Sequence, residues 1–281
     1  MSEDVEERHE VLALSDKKSR FTRFCQELDM SFTSDEMTAL RTQLCDEAEA
    51  CGIVITSQQA DLLLQHLDLV IEKNKVMNLT RIVDTSDAVT KHIVDSLLFV
   101  KALGEQMDQG KRFLDLGTGA GFPGIPFGVV TGMRGLLVDS VGKKVTAVES
   151  FIDELELAGQ LEARAIRAEE LAKVECGRYH VVCARAVAEL NVLIEYAAPF
   201  LAKGGVLVAS KAHVSQEEQD NAAYAASVCG MRLVSRETYE LPRDAGHREL
   251  YRYEKVKKPQ ITLPRNTGMA KHKPLVRQTN V

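Results

Sequence analysis

The chain has 281 residues, a net charge of −6 and a hydrophobic share of 45%, which predict a folded protein with a full core. Aromatic residues make up only 5% and Trp is absent, so that core must be aliphatic. No apolar run reaches the roughly 18–20 residues of a membrane helix, and the acidic N-terminus lacks signal-peptide character, so we expect a cytoplasmic protein. The six cysteines form no C-x-x-C pair, which favours reduced thiols over a metal site.

The first hundred residues are predicted to be helical. Residues 1 to about 45 have the pattern of a weak helical extension, to which we assign no function. Two apolar stripes at helical spacing follow within a segment spanning 46–110. The first covers 62–71, with an N-cap at Thr56 or Ser57, and the second covers 88–100, with a cap among residues 85–87.

Short apolar strands alternate with helices from Lys111 onward, which predicts an α/β domain at 111–258. Such alternation gives a mostly parallel, Rossmann-like sheet with helices on both faces. The predicted strands are Arg112–Leu116, Gly135–Asp139, Ala163–Ala168, His180–Arg185, Val206–Ser210, Arg232–Tyr239 and Glu249–Tyr253. No helix separates the last two strands, so we expect them to form an antiparallel hairpin at one edge.

The strongest local signal is a glycine-rich loop after the first strand. Glycines permit positive φ and a close approach of backbone to ligand, which makes Gly117 and Gly119 candidate binding residues. The spacing of Gly119, Gly121 and Gly124 also satisfies the dinucleotide fingerprint, so a nicotinamide- or flavin-dependent oxidoreductase is an alternative. The carboxylate of Asp115, just before the loop, would repel a pyrophosphate but suits a cationic ligand such as S-adenosylmethionine.

Three further strand ends carry candidate site residues. Asp139 ends the second strand, where a carboxylate can accept both ribose hydroxyls of a nucleoside or merely cap the next helix. Ala168 and Glu169 follow the third strand, where their backbone could contact an adenine edge or simply begin an exposed helix. Arg185 ends the fourth strand, at the edge where open α/β sheets bind ligands, and a structural ion pair is the alternative.

In their order along the chain, these motifs resemble the RsmG (GidB) family of bacterial 16S rRNA guanine-N7 methyltransferases, over about residues 52–256. The D-x-G-x-G-x-G pattern of the loop also resembles motif I of class I methyltransferases. The matching segments are N-K-x-x-N-L-T at 74–80, K-H-I-V-D-S at 91–96, the loop at 115–126, D-S-V-G-K-K at 139–144, A-R-A at 184–186 and G-H-R at 246–248. The His–Arg order of the last segment is inverted relative to some members, which leaves its role open.

The resemblance implies a class I methyltransferase fold with S-adenosylmethionine as cofactor. It also implies 16S rRNA as partner, in a small-subunit particle, and N7 of a guanine in the 530 loop as acceptor. The cofactor contacts it implies are at Gly117, Phe122, Ala168, Glu169 and Arg185, and it supports Asp139. Guanine N7 has a free lone pair and no proton to remove, so no catalytic base is predicted.

The C-terminal end is strongly basic. From Lys255 to Val281 the sequence has seven Lys or Arg and no Asp or Glu. Prolines at 259, 264 and 274 discourage a helix. We therefore predict that 259–281 is an extended tail that follows an RNA backbone, and whose loss leaves binding of S-adenosylmethionine almost untouched. A solvated tail without a role is the alternative.

Overall fold

The computed structural model of the chain describes residues 31–104 and 108–277, so most of the expected N-terminal extension lies outside the described residues. Helix α1, Ser34–Ala50, begins at a capping box formed by Thr33 and Glu36. It buries Met37 and Leu44 in the main core. The boundary expected after residue 45 is therefore wrong, because α1 crosses it and packs on the body.

Helix α2, Ser57–Asn74, begins at Thr56, one of the two predicted caps, which forms a capping box with Gln59. The next predicted helix has three parts. These are α3 (Thr85–Ala88), a π-helical turn (Val89–Val94) and α4 (Asp95–Leu103). Its cap is Asp84, whose carboxylate accepts the Asp87 N–H, so the cap predicted among residues 85–87 is wrong by one residue. Single π-helical turns inside a helix frequently mark functional sites.

Seven strands form one mixed sheet in the order β3-β2-β1-β4-β5-β7-β6. The strands are β1 (Arg112–Leu116), β2 (Arg134–Asp139), β3 (Leu161–Ala165), β4 (Tyr179–Arg185), β5 (Leu201–Lys211), β6 (Met231–Leu241) and β7 (Gly246–Lys255). The first five are parallel, whereas β7 pairs antiparallel with both β5 and β6. The predicted Rossmann-like, mostly parallel sheet with an antiparallel hairpin at its edge is confirmed.

Helices cover both faces of this sheet. They are α5 (Gly124–Thr131), α6 (Gly142–Glu154), α7 (Ala168–Leu171), α8 (Leu190–Ala197) and α9 (Gln216–Cys229). Alternation along β1 separates two cores: Phe113 packs with the N-terminal helices, whereas Leu114 and Leu116 pack with α8 and α9. None of the helices within 31–104 and 108–277 is long and apolar enough to cross a membrane.

Strand β1 lies between β2 and β4, because the chain first builds outward to β3 and then returns to place β4 on the other side. In open α/β sheets such a reversal leaves a crevice outside the carboxyl ends of the strands, where ligands bind. The glycine-rich loop follows β1 at this crevice, and Asp139 and Arg185 end the two flanking strands. The topology thus brings these predicted site residues to one edge.

The C-terminal segment, residues 263–277, returns to the same edge. It contains a short helix, α10 (Met269–His272), and its Ala270 is only 2% exposed. Asn191 on α8 donates to the carbonyl of Leu275 over 3.0 Å. The prediction of an extended tail without helix is wrong up to residue 277, since burial and hydrogen bonds hold this segment on the body. Residues 278–281 of the predicted tail lie outside the described residues.

Candidate functional site

A cavity of about 350 Å³ lies at the carboxyl ends of β1 and β2; we call it the glycine-loop cavity. Five of the seven predicted site residues line it: Gly117, Gly119, Asp139, Ala168 and Glu169. The other two, Phe122 and Arg185, lie outside its lining. Its volume is within the range of small-molecule sites.

The two predicted loop glycines are required for different reasons. Gly117 has a φ of 78°, and a Cβ there would lie 2.6 Å from Cγ2 of Val187. Gly119 has a φ of 61°, but a Cβ there would meet only the Gly117 carbonyl, at 4.0 Å. Gly117 is therefore needed for packing as well as for the turn. Gly119 instead presents bare backbone to open space in the cavity.

Asp139 ties the glycine-rich loop to the start of α6. Its Oδ2 accepts the N–H of Gly119 over 3.2 Å, and its Oδ1 accepts the N–H of Val141 over 2.9 Å. The half-buried carboxylate also lines the cavity. Both sequence interpretations stay open, because the residue caps a turn and also lines the cavity.

Asp115 does not face the glycine-loop cavity, so the argument that its carboxylate meets a cationic ligand is wrong. Its side chain is 0% exposed and lies beneath the loop, where Oδ2 accepts the N–H of Gly124 over 2.9 Å. Burial raises the pKa of this carboxyl to about 7, although hydrogen bonds from Thr118 and Gly124 oppose the shift. Its position on β1 explains the geometry: it shares a face with Phe113, toward α5.

A second cavity of about 740 Å³ adjoins the first, and Ala186 and Val187 line both. We call it the arginine cavity. Its other lining residues come from the π-helical turn, α4, β4, β5, β7 and neighbouring loops, and its lysines and arginines are Lys91, Arg185, Lys211 and Arg248. Only Asp95 and Glu189 of its lining are acidic, so the cavity favours an anionic or electron-rich ligand.

Asp95 joins the two arginines of this cavity. Its Oδ2 lies 3.1 Å from Nη1 of Arg185, and its Oδ1 lies 2.9 Å from Nε of Arg248. The Asp95 side chain is 4% exposed, against 15% and 19% for the two guanidinium groups. Breaking such a buried pair is costly, since it leaves an uncompensated charge. The structural ion pair considered for Arg185 is therefore present, and the same side chain also lines the cavity.

Carbonyls of the π-helical turn add to this arrangement. Nη1 of Arg185 lies 3.4 Å from the carbonyl oxygens of both Lys91 and His92. In addition, the guanidinium lies over the ring of Phe122, 5.6 Å from its centroid. Arg185 is thus oriented from several sides. Phe122 contacts Arg185 although it lines neither cavity.

The N-K-x-x-N-L-T motif, residues 74–80, supports the ring of Phe122 through His92. Oδ1 of Asn74 accepts the N–H groups of Leu79 and Thr80, which fixes the loop after α2. The Thr80 hydroxyl then hydrogen-bonds Nε2 of His92 over 2.8 Å, and the His92 ring stacks on Phe122 at 4.8 Å. The motif therefore holds the site in place and does not itself line the glycine-loop cavity.

Neither buried histidine near Phe122 is suited to proton transfer. Burial lowers the pKa of His66 to about 3, and burial followed by the nearby charge of Arg185 does the same for His92. Both imidazoles are therefore neutral at neutral pH. Across 31–104 and 108–277, no three His, Cys, Asp or Glu side chains form a group that could hold a metal.

Two contributions to the site were missed by sequence reasoning. Arg248 is the second partner of Asp95, and its signal was the G-H-R segment, whose role was left open. Gly268, Lys271 and His272 line the glycine-loop cavity, although the tail was expected to follow RNA and to leave binding of S-adenosylmethionine almost untouched. Their approach depends on long-range packing, which leaves no local pattern in the sequence.

Comparison with known proteins decides the family. The family model described as "rRNA small subunit methyltransferase G" matches residues 59–245, more than half of the chain.

The chain belongs to the ribosomal RNA small subunit methyltransferase G family.

Relatives bearing that family name align over nearly their whole length. The protein from Desulfitobacterium hafniense is 36% identical over 80% of this chain and 93% of its own. The one from Pelotomaculum thermopropionicum is 36% identical over 85% of this chain and 100% of its own. Membership in this family favours the methyltransferase interpretation over the nicotinamide- or flavin-dependent oxidoreductase. The resemblance stated from sequence motifs is confirmed.

Among solved structures, geranyl diphosphate C-methyltransferase from Streptomyces coelicolor matches 57% of this chain and 78% of its own. It does so with a TM-score of 0.46 and 14% identity. A likeness of this size says nothing about the substrate of the present family member.

Proposed function

We propose that this family member uses S-adenosylmethionine to methylate N7 of a guanine in the 530 loop of 16S rRNA. One observation carries the proposal: the cavity beside the glycine-rich loop adjoins a cationic cavity, with Ala186 and Val187 common to both linings. A small cofactor and an RNA base bound in the two cavities would therefore be neighbours. Methyl transfer requires that proximity, together with in-line geometry.

The glycine-loop cavity fits an adenosyl cofactor. Gly119 offers bare backbone with open space in front of it, and Asp139 offers a carboxylate for ribose hydroxyls. Ala168 and Glu169 would contact the adenine, and Gly117 the part of the cofactor next to the loop. When bound, S-adenosylmethionine supplies an electrophilic methyl group on a sulfonium ion.

The arginine cavity is the proposed acceptor site. The guanidinium groups of Arg185 and Arg248 can donate hydrogen bonds to guanine O6 or to phosphate oxygens. A donor placed on N7 itself would occupy the lone pair that must attack, so we assign the arginines to neighbouring acceptors. Arg185 immediately precedes Ala186 and Val187, which line both cavities, so we assign it the position between cofactor and acceptor.

The reaction needs no base from the protein. Guanine N7 has no proton, and His66 and His92 are weak proton acceptors, because burial lowers the pKa of each to about 3. Asp115 is sealed beneath the loop and cannot reach an acceptor. What the chain contributes is orientation, exclusion of water and a fixed electrostatic environment.

The decisive experiment is to map N7-methylguanosine in 16S rRNA from cells with and without this protein, and in small-subunit particles treated with purified enzyme. We expect one guanine of the 530 loop to gain the modification. Methylation elsewhere would overturn the proposed target. Calorimetry that detects tight binding of NADH but none of S-adenosylhomocysteine would overturn the proposed cofactor.

A further inference from the structure

The C-terminal segment, 263–277, contributes to the wall of the glycine-loop cavity. Gly268, Lys271 and His272 line the cavity together with Tyr196 of α8. Gly268, Lys271 and His272 belong to the C-terminal end of the chain, whereas the glycine-rich loop follows β1. They place a wall beside Ala168 and Glu169, at the end of the cavity proposed for adenine.

The segment also holds Glu169 directly. The Gly268 N–H donates to Oε1 of Glu169 over 2.8 Å, and the Thr267 hydroxyl donates to Oε1 of Glu170 over 2.6 Å. Both acceptors lie in the first turn of α7, and Glu169 is only 7% exposed. A helix of four residues has few hydrogen bonds of its own. The two hydrogen bonds from the C-terminal segment therefore contribute substantially to holding α7 in place.

An ion pair between Arg265 and the buried Glu195 of α8 anchors the start of the segment. Nε of Arg265 lies 2.6 Å from Oε1 of Glu195, whose side chain is 4% exposed. The same guanidinium donates to the carbonyl of Lys273 over 2.9 Å, which closes the segment on itself around α10. Arg265 is thus committed to the fold and is not free to follow RNA, unlike the exposed Lys271, which lines the cavity.

We propose that residues 265–272 are a built-in part of the cofactor site. They position the first turn of α7 through Gly268 and Thr267, and they enclose the adenine end of the cavity. Loss of this contact weakens binding of S-adenosylmethionine and of S-adenosylhomocysteine. The inference rests on the proposed cofactor, and it reverses the sequence-based prediction that the end of the chain serves RNA alone.

The test measures binding of S-adenosylhomocysteine by calorimetry. A variant ending at Thr262 removes the segment but keeps the hydrogen bond from Gln260 N–H to the Val228 carbonyl that follows the sheet. We expect its affinity to fall at least tenfold. A control variant ending at Arg277 should bind within twofold of the full chain. Circular dichroism and thermal unfolding verify that both variants are folded.

A substitution pair makes the test independent of truncation. Arg265→Glu places two carboxylates face to face and should release the segment, with the same loss of affinity. Combining it with Glu195→Arg restores opposite charges and should recover part of the affinity. Hydrogen exchange of 267–272 in the full chain should slow when S-adenosylhomocysteine is added.

The outcomes separate this inference from the proposed function. Full affinity in both the truncated chain and Arg265→Glu, with weaker binding only to small-subunit particles, would overturn the role of the segment and leave the cofactor assignment standing. Absence of S-adenosylhomocysteine binding to the full-length chain would instead remove the proposed cofactor, and this inference with it.

Discussion

The two adjoining cavities are lined by different kinds of chemical group. The glycine-loop cavity is shaped mainly by backbone, with Gly119 giving bare peptide and Asp139 holding the loop through its N–H. The arginine cavity is shaped by charged side chains from separate parts of the chain, joined at Asp95. The glycine-rich side of the first depends on local conformation, whereas the second depends throughout on contacts between residues about ninety or more positions apart.

This difference also appears in their two buried carboxyl groups. Asp95 is flanked by two guanidinium groups, whereas Asp115 receives the N–H of Gly124 and is otherwise shielded by burial. The arginine cavity therefore contains a paired carboxylate, whereas the carboxyl group beneath the glycine-rich loop has a raised pKa. Four substitutions would break or sharpen the comparison, and we give them from the largest expected effect to the smallest.

Arg185→Ala should reduce methyl transfer to 16S rRNA by about 10²–10³-fold, because loss of one preorganised hydrogen-bond donor from a reaction site typically costs about that much in rate. The free energy of unfolding should also fall, since removing one partner of a buried ion pair typically costs about 3–5 kcal/mol. Arg185→Lys should lose nearly as much, since one ammonium cannot reach Asp95 and the helix carbonyls together. Initial rates on small-subunit particles measure both. Arg164→Ala is the control: its side chain is 40% exposed and its loss should leave the rate unchanged. Full activity in the lysine variant would reduce Arg185 to a point charge.

Relative to the parent, the Asp115→Asn variant should be more stable at pH 8 than it is at pH 5. The folded pKa of Asp115 is about 7 and its unfolded value is 3.8, so the native chain binds the extra proton between those pH values. The parent therefore loses stability as pH rises from 4 to 7, and the amide variant does not. The difference in free energy of unfolding between variant and parent should grow by about 2–4 kcal/mol over that window.

Urea unfolding at both pH values measures this difference in the protein without cofactor. Asp153→Asn, at an exposed position on α6, is the matched control and should show a constant difference from the parent. A constant difference for Asp115→Asn as well would mean that this carboxyl is ionised throughout.

Asp139→Ala should weaken binding of S-adenosylhomocysteine by about tenfold to a hundredfold, in line with loss of one charge-assisted hydrogen bond of about 1.5–3 kcal/mol. Asp139→Asn keeps one acceptor oxygen and should lie between the parent and the alanine variant. Calorimetry gives the dissociation constants. An unchanged constant for the alanine variant would leave Asp139 as a cap of the turn before α6.

Thr80→Val should lower the free energy of unfolding by about 1–2 kcal/mol, because it removes the hydroxyl that bonds His92 and accepts the Ile82 N–H. Its effect on S-adenosylhomocysteine affinity should be small, since Thr80 lines neither cavity. Thermal unfolding measures it against Thr38→Val, whose hydroxyl is on the exposed face of α1. Equal stabilities would show that stacking alone holds His92 on Phe122.

Much of the sheet could be predicted, because each strand corresponds to a short apolar run in the sequence. Strand β1 matches its predicted bounds, and the edge hairpin followed from the missing helix between its strands. The π-helical turn could not be predicted, since residues 88–100 have ordinary helical spacing. Its carbonyls face Arg185, which is ninety residues away along the chain.

The candidate site was predicted where chemistry and position along a strand coincide. Gly119, Asp139, Ala168 and Glu169 each follow or end a strand, and all line one cavity. Side-chain direction was less predictable: the pleat of β1 turns Asp115 away from the glycine-loop cavity. The path of the C-terminal segment was mistaken because a basic, proline-containing composition is equally compatible with a free tail and with a docked one.

Ala186, which lines both cavities, has a φ of 55°, a backbone conformation that residues with a side chain seldom adopt. It follows Arg185 directly, so the turn at Ala186 sets the direction in which the chain leaves β4. Few residues fit this position: glycine would relieve the strain, alanine tolerates it, and a β-branched residue would combine a backbone penalty with added bulk between the two cavities. The boundary between the two cavities therefore requires one of the smallest amino acids at position 186.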